Sequence, residues 1–103
     1  MPEQRFHLHA RVSTENPAAI RPILERLFSA RSITRSEDPH EFVVEGHLDG
    51  PGARDLNRSL LTSLRQAEKR TRLRSEWTCG GTTERFFDYV HKGTTVAPTS
   101  KRA

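Results

Sequence analysis

Glu41-Phe42-Val43-Val44-Glu45-Gly46-His47-Leu48-Asp49, followed by Gly50-Pro51-Gly52, is the stretch on which the fold turns. Extended, it sets Phe42, Val44, Gly46 and Leu48 on one face and Val43, Glu45, His47 and Asp49 on the other. A period of two bounded by turn residues predicts a half-buried strand, one face in a core and the other open.

Working toward the N-terminus, Ser36-Glu37-Asp38-Pro39-His40 forms a turn cluster, and residues 31–35, with Ile33 as the core candidate, predict a short edge strand paired with this one. Before it, Ile20, Ile23, Leu24, Leu27 and Phe28 recur at helical spacing, predicting a helix to about Ala30. Asn16 and Pro17 supply a start signal, while Pro22 removes one amide donor, so the helix begins near Ala19 or is kinked. The first strand is Arg5 to Val12, with Phe6, Leu8, Ala10 and Val12 alternating.

Toward the C-terminus, Leu56, Leu60, Leu64 and Ala67, with Leu61 beside them, mark the buried stripe of a second helix. Leu73, Ser75 and Trp77 then alternate with Arg72, Arg74 and Glu76 in a strand, Cys79-Gly80-Gly81-Thr82 makes a turn, and residues 84–90 form a last strand. From Gly93 the composition is that of a disordered basic tail, which leaves residues 1–92 as a single domain.

A shift of 36 residues lays Phe6, Leu8, Ala10 and Val12 over Phe42, Val44, Gly46 and Leu48, and Ile20 and Leu24 over Leu56 and Leu60. Two tandem strand-helix halves resemble the ferredoxin-like split βαβ arrangement over residues 5–90, with one extra C-terminal strand. The resemblance implies an α+β sandwich, an antiparallel sheet with both helices on one face. It carries no functional residues with it.

At 103 residues, with 33% apolar side chains and a mean hydropathy of −0.74, the chain supports one modest core. No apolar run reaches membrane-spanning length, no secretory leader is expected, and the cytoplasm is the expected location. Cys79 is the single cysteine, excluding a disulfide within the chain. The pI of about 10.0 reports mostly the C-terminus. Residues 1–50 carry six Arg against eight acids, residues 51–91 eight Lys or Arg against five, and residues 92–103 three cations and no acid.

Three constellations are candidates for function. On the open face, His7 and His9 of the first strand and Glu45 and His47 of its neighbour are placed to hold a ligand or a divalent metal. Lys69, Arg70, Arg72 and Arg74 form a basic cluster suited, with the tail, to nucleic-acid phosphates. Trp77, Phe86, Phe87 and Tyr89 form an aromatic group for an interface; Phe86 and Phe87 are adjacent and must point to opposite faces. Walker, Rossmann and nucleophile-elbow patterns are missing, Gly80-Gly81 precedes no helix, and no catalytic residue or cofactor is called for.

The expectation from these features is a non-enzymatic binding domain that forms a homodimer through its open sheet face, with a small-molecule site there. Two alternatives stand beside it: a nucleic-acid accessory module using the Lys69–Arg74 cluster, and a small metal-dependent enzyme using the open-face histidines. No membrane partner is expected.

Overall fold

The computed structural model describes residues 3–96. In chain order the elements are β1 (Gln4–Ser13), α1 (Pro17–Leu27), β2 (Ile33–Arg35), β3 (Glu41–Gly50), α2 (Ala53–Ala67), β4 (Arg72–Cys79), β5 (Thr82–Phe87) and β6 (Val90–Val96), with a single 3₁₀ turn at Ala30–Ser32 before β2. The chain is an α+β fold with two helices and one antiparallel sheet, ordered β2-β3-β1-β4-β5-β6.

The two alternating stretches pair directly. β1 and β3 run antiparallel with Leu8 opposite Gly46 and His7 opposite His47. On their inner face Phe6, Leu8, Ala10, Val12, Phe42 and Val44 are buried, in one core with Ile20 and Leu24 of α1 and Leu60, Leu61 and Leu64 of α2. Each large side chain fully withdrawn from water contributes about 1.5–3 kcal/mol. Gly46 keeps its inner position for a steric reason: a Cβ there would sit 3.0 Å from Phe28 Cδ1, so the Phe28 ring occupies the space a side chain would need.

α1 starts at Pro17 and runs through Pro22 to Leu27, stopping three residues before Ala30. Asn16 does not cap it with its side chain; its carbonyl accepts from the amides of Ala19 and Ile20 instead. In α2 the buried stripe is Ala53, Asn57, Leu60, Leu61 and Leu64. Ala67, expected in the core, is exposed, and the polar Asn57 lies in the stripe instead. Asn57 Oδ1 accepts from Ser75 Oγ and from Trp77 Nε1, the latter at 3.2 Å. These bonds satisfy polar groups buried under the helix that would otherwise cost free energy.

The C-terminal part departs most from expectation. The expected last strand, residues 84–90, is two strands folded back at Asp88-Tyr89, which gives six strands rather than five. β6 also takes in residues 93–96, which composition assigns to the tail; the rest of that tail lies outside the described residues. Asp88 adopts a left-handed conformation (φ 56°), an uncommon choice for a residue other than glycine. Tertiary contacts hold it there. Its carboxylate accepts from the Leu73 amide at 2.9 Å, and its own amide donates to the Leu73 carbonyl at 2.7 Å. The β4–β5 turn is the expected glycine turn, with Gly80 and Gly81 both at positive φ (59° and 86°), the demand of a two-residue hairpin.

Candidate functional site

Because inner and outer residues alternate, the strand register fixes what meets on the open face. One cross-strand row reads His47, His7, Thr78, Thr83 and Thr95. The next reads Glu45, His9, Glu76, Arg85 and Gly93, and the third Val43, Arg11, Arg74, Phe87 and Val90. Glu41, Ser13 and Arg72 begin a fourth. The face is thus strongly charged, with Phe87 its one aromatic carbocycle among these rows.

The candidates His7, His9, Glu45 and His47 do share this face, but they do not converge on one point. His7 Nε2 lies 3.2 Å from Glu45 Oε2, and the His7 and His47 rings meet edge to face at 5.1 Å. His9 is exposed one row away. Among the described residues no group of three or more His, Cys, Asp or Glu side chains is arranged to hold a metal ion.

The aromatic candidates separate. Trp77 is fully buried, and Phe86 is buried with its ring edge-to-face on His91 at 5.1 Å. An interface patch built on these two is therefore not formed: both lie on the helix-facing side, where Trp77 Nε1 has Asn57 and Ser75 as acceptors. Phe87, as its adjacency to Phe86 requires, points to the open face and is half-buried. Tyr89 sits exposed in the hairpin turn, under the Arg65 guanidinium and 3.2 Å from Thr62 Oγ1 through its hydroxyl.

The basic cluster also divides. Lys69 and Arg70 are exposed in the α2–β4 connection, whereas Arg72 and Arg74 stand on the open face. The guanidinium carbons of Arg74 and Arg72 lie 5.0 and 5.5 Å from the Phe87 ring centroid, within reach of cation–π attraction. Arg11 stands directly opposite Arg74, a like-charge pair of the kind that destabilises a sheet. Arg11 is partly neutralised by Glu41 at 3.0 Å, and Arg85 by Glu76 at 3.2 Å. Among the described residues neither Arg72 nor Arg74 has an acidic partner within 4.0 Å; both lean on the Phe87 ring instead.

Around this group the face is hollowed. A depression of about 420 Å³ is lined by His9, Arg11, Arg74, Glu76, Arg85, Phe87 and Lys92 among others. A second, of about 250 Å³, shares Arg11, Arg74 and Phe87 with it and adds Ser13, Glu41 and Arg72. A third, of about 640 Å³, shares Ser13 and Arg72 with the second and lies at the end of the sheet, between Lys69 and Arg70 on one side and Glu15 and Asp38 on the other.

Arg11, Arg85 and Lys92 are not among the candidates that the sequence supplies, because Arg11 and Arg85 are gathered by strand register and Lys92 by the irregularity between Arg85 and Phe86, where β6 carries an extra residue. The available signal is that Arg11 shares the outer face with His7 and His9, and that Arg85 alternates with Phe86. No helix of the described residues is long and apolar enough to cross a membrane. No protein-family model, curated protein or solved structure matches the chain.

Proposed function

We propose that the protein is a non-enzymatic binding domain that takes an anionic ligand on the open face of its sheet, at Arg72, Arg74 and Arg11 around Phe87. One observation carries the reading: two arginines without acidic partners among the described residues converge on one aromatic ring, one of them opposite a third arginine, in a hollow open to solvent. Gathering like charges costs free energy that an anion bridging them would relieve. The run β2-β3-β1-β4, with α1 after β1 and α2 after β3, supports regarding the core as ferredoxin-like, extended by β5 and β6. A reducing cytoplasm suits the free thiol of Cys79.

Calorimetric titration with inorganic polyphosphate at low salt tests the proposal. Saturable heat that weakens with salt and vanishes in the Arg72→Ala, Arg74→Ala double variant is expected. Equal heats from wild type and double variant would reject this face as the site.

Self-association is the second reading, and the β6 edge favours it. β6 ends the sheet with its outer backbone groups unpaired among the described residues, and Val90 and Val96 are 58% and 67% exposed. Stacking two open faces would instead bring arginines against arginines. Light scattering after size exclusion decides: a dimer lost in a Val90→Lys, Val96→Lys variant supports edge pairing, and a monomer at millimolar concentration removes it.

A further inference from the structure

We infer that the ligand of this face is single-stranded nucleic acid, with a base stacked at the Phe87–Arg74 platform and the backbone following the cations on either side. The inference rests on the reading that the open face takes an anion, and adds to it the class of that anion.

The first ground is shape. The second hollow shares Arg11, Arg74 and Phe87 with the first and Ser13 and Arg72 with the third, so the three adjoin in series like a track. The first hollow alone takes in residues of β1, β4, β5 and β6, three strand spacings or about 14 Å at roughly 4.8 Å each. A small anion needs one enclosed pocket. A track suits an extended polymer.

The second ground is the order of charge along that track. Lys92 marks one end, Arg74 and Arg72 the middle, and Arg70 and Lys69 the far end beyond the sheet. Eight Lys and Arg line the three hollows against four acids, of which Glu76 is paired with Arg85 and Glu41 with Arg11, while Glu15 and Asp38 flank the far end. Two further acids of β3 lie outside the hollows, Glu45 against His7 and Asp49 against Arg5. The lining is net positive, and the arginines that have no acidic partner among the described residues, Arg72 and Arg74, stand at its middle, where a phosphate would gain most.

The third ground is the aromatic ring at the middle of the path. A polymer recognised through charge alone has no use for Phe87. Single strands are held by a basic groove that follows the backbone together with aromatic and guanidinium planes on which bases stack. Arg74 and Phe87 together supply such a plane. In a duplex the bases are stacked on one another, so it can use the cations but not the platform.

Fluorescence anisotropy with the full chain tests this, using labelled strands of about 12 nucleotides, the scale of a single-domain site. The comparison set is the base-bearing single strand, an abasic strand of equal length, the corresponding duplex, and polyphosphate as competitor. The base-bearing single strand is expected to bind tightest. Phe87→Leu should weaken it about five- to hundredfold and leave the abasic strand unchanged, while Phe87→Tyr retains affinity. Arg72→Ala and Arg74→Ala should each reduce the salt slope by about 0.7, for abasic and base-bearing strands alike.

If the abasic strand or the duplex binds as tightly as the single strand, or Phe87→Leu changes nothing, the nucleic-acid inference is overturned. The anion-binding reading survives that result provided polyphosphate still binds through Arg72 and Arg74. If neither polyphosphate nor oligonucleotide binds the wild-type protein, both fall. Circular dichroism melting of Phe87→Leu, together with the Phe87→Tyr variant, separates lost recognition from lost folding.

Discussion

Asn57 Nδ2 donates a 2.8 Å hydrogen bond to the carbonyl oxygen of Asp88, tying the middle of α2 to the hairpin between β5 and β6. The same carboxamide accepts from Ser75 and Trp77 through its oxygen, so one buried side chain joins the helix, β4 and the turn. Asn57→Ala should therefore cost about 2–4 kcal/mol, the sum of a small cavity and partly orphaned donors. Urea denaturation reads it. The loss is bounded because Trp77 Nε1 retains Ser75 Oγ at 3.1 Å. A change under about 1 kcal/mol would contradict this role for a residue 1% exposed.

Asp88 presents the complementary case. Asp88→Ala removes the acceptor for the Leu73 amide and leaves a Cβ-bearing residue in a left-handed conformation without a stabilising side chain. Together these should cost about 2–3 kcal/mol. Asp88→Asn keeps both a carbonyl acceptor and a tolerance for positive φ, and should cost less than about 1 kcal/mol. Hydrogen exchange adds a positional check: amides of β5 and β6 should lose protection in Asp88→Ala before those of β1 and β3 do, since β1 and β3 lie inside the sheet. Uniform loss of protection would place the turn's contribution in the whole core instead.

How legible the fold is follows from what each element depends on. β1 and β3 depend on alternation, a property of adjacent residues, and the sequence places both to within one residue at each end. The Asp88-Tyr89 turn depends on Asn57 and Leu73, far away in sequence, and lacks the glycine that marks the Gly80-Gly81 turn. Residues 84–90 therefore read as one strand. The candidate site is legible to the same limit. Alternation places Arg72 and Arg74 on the outer face and forces Phe86 and Phe87 apart, but the two arginines meet Phe87 only because β4 and β5 pair with Arg74 opposite Phe87. Arg11 joins them through the β1–β4 register, and Lys92 through the irregularity in the β5–β6 pairing beside Arg85. Side chains gathered by register become visible only once strand order is known.

The β4–β5 turn gives a local test without consequences for the open face. Gly80 holds φ 59°, and a Cβ added there would meet no atom within 4 Å, so Gly80→Ala carries a conformational cost alone. A loss of about 1 kcal/mol is expected in thermal or urea denaturation. Affinity for polyphosphate should be unchanged, because the turn lies outside all three hollows. A variant that folds normally but binds differently would show that the turn reaches the ligand.

Phe86 and Phe87 are neighbours in sequence with opposite environments, and their substitutions should separate cleanly. Phe86 is 3% exposed in the core opposite Ser75, so Phe86→Ala should cost about 3–5 kcal/mol. Phe87 is half-buried under Arg72 and Arg74; its loss removes partial burial and two solvent-facing cation–π contacts of about 0.5–1 kcal/mol each. With about 1 kcal/mol for the half-buried ring, Phe87→Ala should cost about 2–3 kcal/mol, below the cost of Phe86→Ala. Equilibrium urea unfolding of the two variants, with comparable slopes, measures the difference. Should Phe87→Ala prove as costly as Phe86→Ala, the ring would be a core residue with no surface left for a ligand. If the difference holds, stability and recognition at Phe87 are separable, and its affinity changes can be assigned to the ligand rather than to the fold.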